Sequence, residues 1–92
     1  MTEVYKCSAG IMLECEETFS IQYFSTTEDD VTFGIKALVL KNNRLHSSDL
    51  FELGLSERDA DQLITMFCEN FVFPATFMDI LEDMGITQKV AG

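Results

Sequence analysis

Few residues in this chain have side chains suited to catalysis, and their spacing suits few reactions. His46 is the only histidine among 92 residues. A nucleophilic triad or a histidine–cysteine dyad would have to combine it with Cys7, Cys15, Cys68 or a neighbouring serine. No nucleophile motif surrounds any of them, and the ordinary reading of His46 is a polar residue between a strand end and a helix cap. The same four side chains have the right chemistry for zinc. Their spacing does not, since there is no C-x2-C and no H-x3-H pair. The three cysteines fall on or beside apolar faces, where a thiol behaves as a small hydrophobe. The triplet Glu28-Asp29-Asp30 lacks the alternating order and the distant glutamate of a calcium loop. Hydrolysis by paired carboxylates needs two of them across a cleft, which sixteen scattered acids do not specify. No glycine-rich phosphate cradle is present. The expectation is a protein that is not an enzyme, with no cofactor and no metal.

Charge is the strongest feature. Sixteen acids against six bases leave a formal net charge of −10. That field repels phosphate backbones and anionic lipid surfaces, so neither nucleic acid nor membrane is an expected direct partner. It favours a basic protein, a cationic peptide or a metal ion. Solubility is the plainer use of such a surface. The segment MTEVYKCSAGIML carries an acid at position 3 and no long apolar core, so it predicts no signal peptide. No apolar run approaches the roughly 18 residues of a membrane span. Three cysteines without framework spacing then imply reduced thiols and a cytoplasmic location.

The elements that must position these residues follow from periodicity. Tyr5, Cys7 and Ala9 alternate with Lys6 and Ser8; Ile11, Leu13 and Cys15 alternate with Met12, Glu14 and Glu16. Phe19, Ile21 and Tyr23 alternate with Ser20, Gln22 and Phe24, and Val31 to Leu40 repeats the pattern. Period two with aromatic and β-branched residues predicts strands. Ser8-Ala9-Gly10, Glu16-Glu17, residues 25–30 and Lys41-Asn42-Asn43-Arg44 read as breaks between them. Leu38-Val39-Leu40 is apolar on both faces, which places that strand centrally or under helices. A mostly polar wet face is expected from Met12, Glu14, Glu16, Ser20, Gln22, Phe24, Thr32 and Lys36.

The second half changes to a 3.6-residue period. Ser47 or Ser48 predicts the cap of a short helix through Leu53, with Gly54 at its C-terminal turn. Ser56, with Asp59 three residues on, predicts the start of the main helix, whose stripe is Ala60, Leu63, Ile64, Phe67 and Phe71. Pro74 suits the first turn of a third helix carrying Phe77, Ile80, Leu81 and Met84, closed by Gly85 with Ile86 folding back. The tail, residues 87–92, reads as frayed. The whole is one α+β domain: an antiparallel meander of three or four strands in the N-terminal half, then two or three helices packed on one of its faces.

The acids concentrate on the helical half. Residues 47–92 hold nine acids and two bases, against seven and four in residues 1–46. Asp61 and Glu69 lie on the main helix, and Asp79, Glu82 and Asp83 lie away from the apolar stripe of the third. Like charges at i, i+3 and i+4 cost a few tenths of a kcal/mol each, and Asp83 near a C-terminus opposes the helix dipole. Helix stability does not select such a pattern. These five acids, with Glu28, Asp29 and Asp30, form the candidate partner-binding set. A helix-turn-helix reading of residues 47–67 fails on sign, because Glu57, Asp59 and Asp61 would face the major groove.

The profile is that of a small acidic inhibitor which occupies a basic, nucleic-acid-binding surface on its partner. Phage anti-CRISPR and anti-restriction proteins, nuclease-neutralising immunity proteins and antitoxins share it as an analogy of type, with no motif behind it. The alternative is a structural or assembly subunit forming a small homo-oligomer, with the first strand pairing with its copy along the sheet edge.

Overall fold

The computed structural model describes residues 1–86; the tail read as frayed, 87–92, lies outside the described residues. Four strands form one antiparallel sheet in sequence order: β1 (Thr2–Met12), β2 (Thr18–Thr27), β3 (Phe33–Lys41) and β4 (Arg44–Leu55). Helix α1 (Glu57–Glu69), a 3-10 turn (Pro74–Thr76) and helix α2 (Phe77–Asp83) follow. The α+β architecture is the expected one, and β3 is an interior strand as its two-sided apolar end required.

Three local expectations are corrected. Residues 47–53 are strand, not helix. Asn42 and Asn43 both take left-handed backbone, φ 52 and φ 66, and make the two-residue turn that folds β4 back on β3. Asn42 Oδ1 also accepts from Thr18 N at 2.9 Å, tying this turn to the start of β2. Gly54 does have positive φ, 65, but within an irregularity of β4 rather than at a helix end. The second correction is that β1 runs unbroken through Ser8-Ala9-Gly10. Its irregularity lies at Lys6, where the register slips from Tyr5↔Phe24 to Cys7↔Tyr23. One extra residue in a strand reverses the side on which its neighbours point. Tyr5 and Cys7, which alternation put on one face, are therefore on opposite faces.

The third correction concerns the end of α1. The helix stops at Glu69, and Phe71 is not on its stripe but beyond the cap with φ 50. Val72 N donates to Phe67 O at 3.0 Å and Phe71 N to Cys68 O at 3.3 Å, the double bond of a Schellman turn. Left-handed backbone is costly for phenylalanine. Something outside the helix must hold it, and that is Tyr23: its hydroxyl donates to Val72 O at 2.8 Å and to Phe67 O at 3.3 Å. The other ends are as read. Ser56 Oγ accepts from Asp59 N at 3.2 Å. Gly85 (φ 76) closes α2, and Ile86 N donates back to Leu81 O at 2.8 Å.

The core lies between the sheet and the helices. Ile21, Tyr23, Ile35, Ala37, Val39, Phe51 and Leu53 meet Ala60, Leu63, Ile64, Phe67, Phe77 and Leu81. Phe77 is its centre, stacked on Phe67 at 4.1 Å between ring centroids and 5.0 Å from Phe51. Pro74 starts the return after a 120° change of direction from α1, which is how one short segment covers the β4 side. Phe77 and Leu81 are buried and Ile80 is half-buried against the same core, as the expected stripe of α2 has them, whereas Met84 is exposed. No single described helix is long and apolar enough to cross a membrane.

Candidate functional site

The acids of the candidate set differ in what already engages them. Asp29 is the hub of the β2–β3 loop. Its Oδ1 accepts from Val31 N at 2.9 Å and Thr32 N at 2.8 Å, while Thr32 Oγ1 donates to Oδ2 at 3.0 Å. These donors, the Thr32 and Val31 amides foremost, hold its carboxyl at about 2, well below the ordinary 3.8. Thr27 Oγ1 completes the loop, accepting from Asp30 N at 2.9 Å and donating to Thr32 O at 2.8 Å. Asp29 is thus a turn-maker, and Glu28 and Asp30 are the acids left exposed beside it.

Asp61 is engaged too. Its Oδ1 is shut off from solvent and lies 3.0 Å from Lys6 Nζ. Lys6 is the extra residue of the β1 irregularity, so this pair fastens the edge strand to α1. Glu69, at the other end of α1, stands exposed roughly 12 Å along the axis from Asp61. Asp79, Glu82 and Asp83 share the outer side of α2, all exposed. Neither helix has a basic residue in its last turn. The β2–β3 loop lies at the end of the sheet where Phe33 pairs with Leu55, the end from which α1 departs. The set is therefore three separate patches: loop, α1 and α2.

Only three of the sixteen acids are ion-paired among the described residues: Asp61 with Lys6, Glu3 with Lys36 at 2.8 Å, and Glu17 with Lys41 at 3.5 Å.

His46, Ser47 and Asp49 come together in an open groove of about 290 Å³ between β4 and the segment Phe73–Ala75, floored by Phe19 and Val39. Among the described residues no hydrogen bond joins the three, so no base is aimed at a nucleophile. No three side chains among His, Cys, Asp and Glu converge as metal ligands in the described residues. Cys15 is exposed. Cys7 is half-buried against Cys68, and burial, reinforced by that neighbour, pushes its thiol up to about 12. A thiol held protonated is a poor nucleophile.

The uncovered face of the sheet is the feature that sequence reading mis-drew. Ser20, Gln22, Phe24 and Lys36 lie on it as expected. Glu14 and Glu16 are in the β1–β2 turn instead, and Thr32 is in the Asp29 loop. Leu38 and Leu40 join Lys36 on the uncovered face by the alternation of β3, and Tyr5, Leu45 and Leu50 are brought there by the slip at Lys6 and by β4. Compared with protein-family models, with curated proteins and with solved structures, the chain finds no match in any of the three.

Proposed function

We propose that this chain is a non-catalytic binding protein whose acidic helical surface occupies a basic, nucleic-acid-binding surface of a partner protein. The observation that carries the reading is the state of Asp79, Glu82 and Asp83. They are exposed, carry no ion pair among the described residues, and sit on a seven-residue helix that their mutual repulsion weakens. Asp61 and Asp29 have structural duties in the fold and contribute to the field more than to contact. Glu28, Asp30 and Glu69 extend that field. The partner class is a protein whose groove otherwise holds a phosphate backbone, such as a defence nuclease, met in the cytoplasm. Carboxylates set against its arginines and lysines speed encounter and supply specificity.

The test uses the tagged chain as bait in a host lysate at low and at high salt. Each captured protein is then assayed for release of labelled duplex DNA on addition of the chain. The proposal expects capture to fall steeply with salt and DNA to be displaced. Joint reversal of Asp79, Glu82 and Asp83 to lysine weakens capture far more than joint reversal of Glu28 and Asp30. Capture that is flat with salt, or a captured protein that keeps its DNA, refutes the reading.

A further inference from the structure

We propose that the uncovered face of the sheet is a dimer interface, on which a second copy of this chain packs face to face across a twofold axis. The pairing registers align three rows across the four strands. They are Tyr5–Phe24–Lys36–Leu50, Ser8–Gln22–Leu38–Ser48 and Gly10–Ser20–Leu40–Leu45. Tyr5 and Phe24 meet edge to face at 5.7 Å, which fixes both rings on this side. Tyr5 is 54 % exposed, Leu45 63 % and Leu50 39 %; Phe24, Leu38 and Leu40 are half-buried. Six large apolar side chains on one uncovered face exceed what a solvated sheet needs.

Charge selects the occupant. The three rows contain no acid, and their one base, Lys36, is neutralised by Glu3 of the bordering row Glu3–Thr26–Gly34; Glu52, beside Gly34 on β4, is the one acid of this face without an ion pair among the described residues. A basic partner finds one unpaired acid here, Glu52 at the margin. A copy of the same chain does fit, because this nearly neutral surface lets two molecules of net charge −10 touch with almost all of their carboxylates kept away from the contact. Stacked sheets lie about 10 Å apart, and each helical layer lies about 10 Å behind its own sheet. The helical acids of the two copies are then on the order of 30 Å apart, beyond the roughly 8 Å screening length at physiological salt.

The area is sufficient. Four strands at about 4.8 Å spacing and some 9 residues at about 3.3 Å, the three rows together with the bordering row of Glu3 and Glu52, give a footprint of roughly 600 Å² on each copy, or roughly 1,200 Å² in all. That reaches the lower bound of specific interfaces. Sheet-on-sheet packing is self-complementary about a twofold axis, as a closed pair requires. This arrangement differs from pairing along a sheet edge. The slips at Lys6 in β1 and near both ends of β4 break up those edges.

Sedimentation equilibrium over a concentration series tests the proposal. The expected species has twice the 10.4 kDa chain mass, and its dissociation constant tightens as salt rises and screens the net repulsion. Leu38→Glu with Leu50→Glu sets carboxylates against carboxylates across the axis and weakens the dimer by at least about 30-fold. The substituted positions lie outside the core, so the far-ultraviolet circular dichroism is unchanged. Gln22→Cys in a Cys15→Ser background forms a symmetric disulfide under oxidation, and Thr65→Cys on α1 in the same background does not. A chain that remains at 10.4 kDa up to about 1 mM overturns the proposal, as does a dimer unaffected by the two glutamates or one that loosens with salt.

Discussion

Tyr23→Phe is the substitution that separates the tertiary support of α1 from its sequence propensity. Tyr23 is fully buried on β2, and its ring lies 6.3 Å from Phe77, a contact that phenylalanine keeps. Only the hydroxyl is lost. It donates to two carbonyls of the turn that ends α1. Phe67 O retains the Val72 amide as a donor, whereas Val72 O has no other donor among the described residues. A net hydrogen bond is worth about 1 kcal/mol, and stranding a half-buried acceptor adds up to about 1 more, so the loss is about 1–2 kcal/mol. For a domain of this size each kcal/mol moves Tm by about 4–8 °C. The expected fall is thus about 4–16 °C, with the urea m-value unchanged because the same surface is exposed on unfolding. Tyr5→Phe is the control: its ring is on the open face, and the change stays within about 0.5 kcal/mol.

A second readout comes from alkaline pH. Burial pushes the Tyr23 phenol far above its ordinary 10.0. Below 10.0 it is neutral folded and unfolded, so its contribution is complete. Above 10.0 the unfolded chain ionises it and the folded chain does not, so stability declines as pH rises. Tyr23→Phe removes that part of the decline and leaves the part from Cys7, which begins near 9.0. A melting temperature within about 2 °C of wild type, with the alkaline slope intact, would show that the Phe71 turn does not depend on Tyr23.

The other predictions concern the loop, the thiols and one close backbone approach. The Asp29 carboxyl titrates near 2 by NMR, with the Val31 and Thr32 amide shifts following it; stability from this group is complete above about 3.8 and fades as pH falls toward 2. A midpoint near the ordinary 3.8 refutes its role as the loop hub. Iodoacetamide at pH 8 labels Cys15 first, and Cys7 only on unfolding; equal rates would place Cys7 outside its buried setting. A Cβ on Gly34 would collide with the Phe51 carbonyl on the neighbouring strand. Gly34→Ala therefore costs about 1–3 kcal/mol in urea denaturation, and a neutral substitution would mean that β4 lies farther from β3 than described.

The fold was legible where local and tertiary preferences agree, and illegible where they part. The period-two runs of β2 and β3, the Ser56 cap and the Gly85 stop are backed by both. Residues 47–53 were misread because serine caps and a following glycine imitate a helix. The strand pattern is masked there because polar Ser47 and Asp49 point toward the helical side, where the groove beside Phe73 leaves them only half-buried. The pair Asn42-Asn43 was the signal that resolves it, since two left-handed residues between apolar runs make a hairpin. The slip at Lys6 leaves no trace in the sequence. Tyr-Lys-Cys alternates perfectly, and only pairing with β2 and the Asp61 carboxylate reveals the extra residue. Phe71 fits a helical stripe numerically, while a phenol on β2 and the Phe73 ring, 5.1 Å away, draw it into left-handed backbone.

The candidate site shows the same division. Composition reveals that the chain is acidic; it cannot reveal which acids are already occupied. Asp29 and Asp61 differ from Asp79 and Glu82 only through partners supplied by the fold. A second consequence is spatial. The free helical acids and the acid-free rows lie on opposite layers, separated by the sheet itself. A basic partner on α2 and a second copy on the open face therefore do not compete, and their responses to salt are opposite in sign. Reversing Asp79, Glu82 and Asp83 should abolish capture of a basic partner and leave the dimer mass unchanged. Leu38→Glu with Leu50→Glu should do the converse. If either set of changes moved both properties together, the two surfaces would be one, and the division of labour between the layers would be wrong.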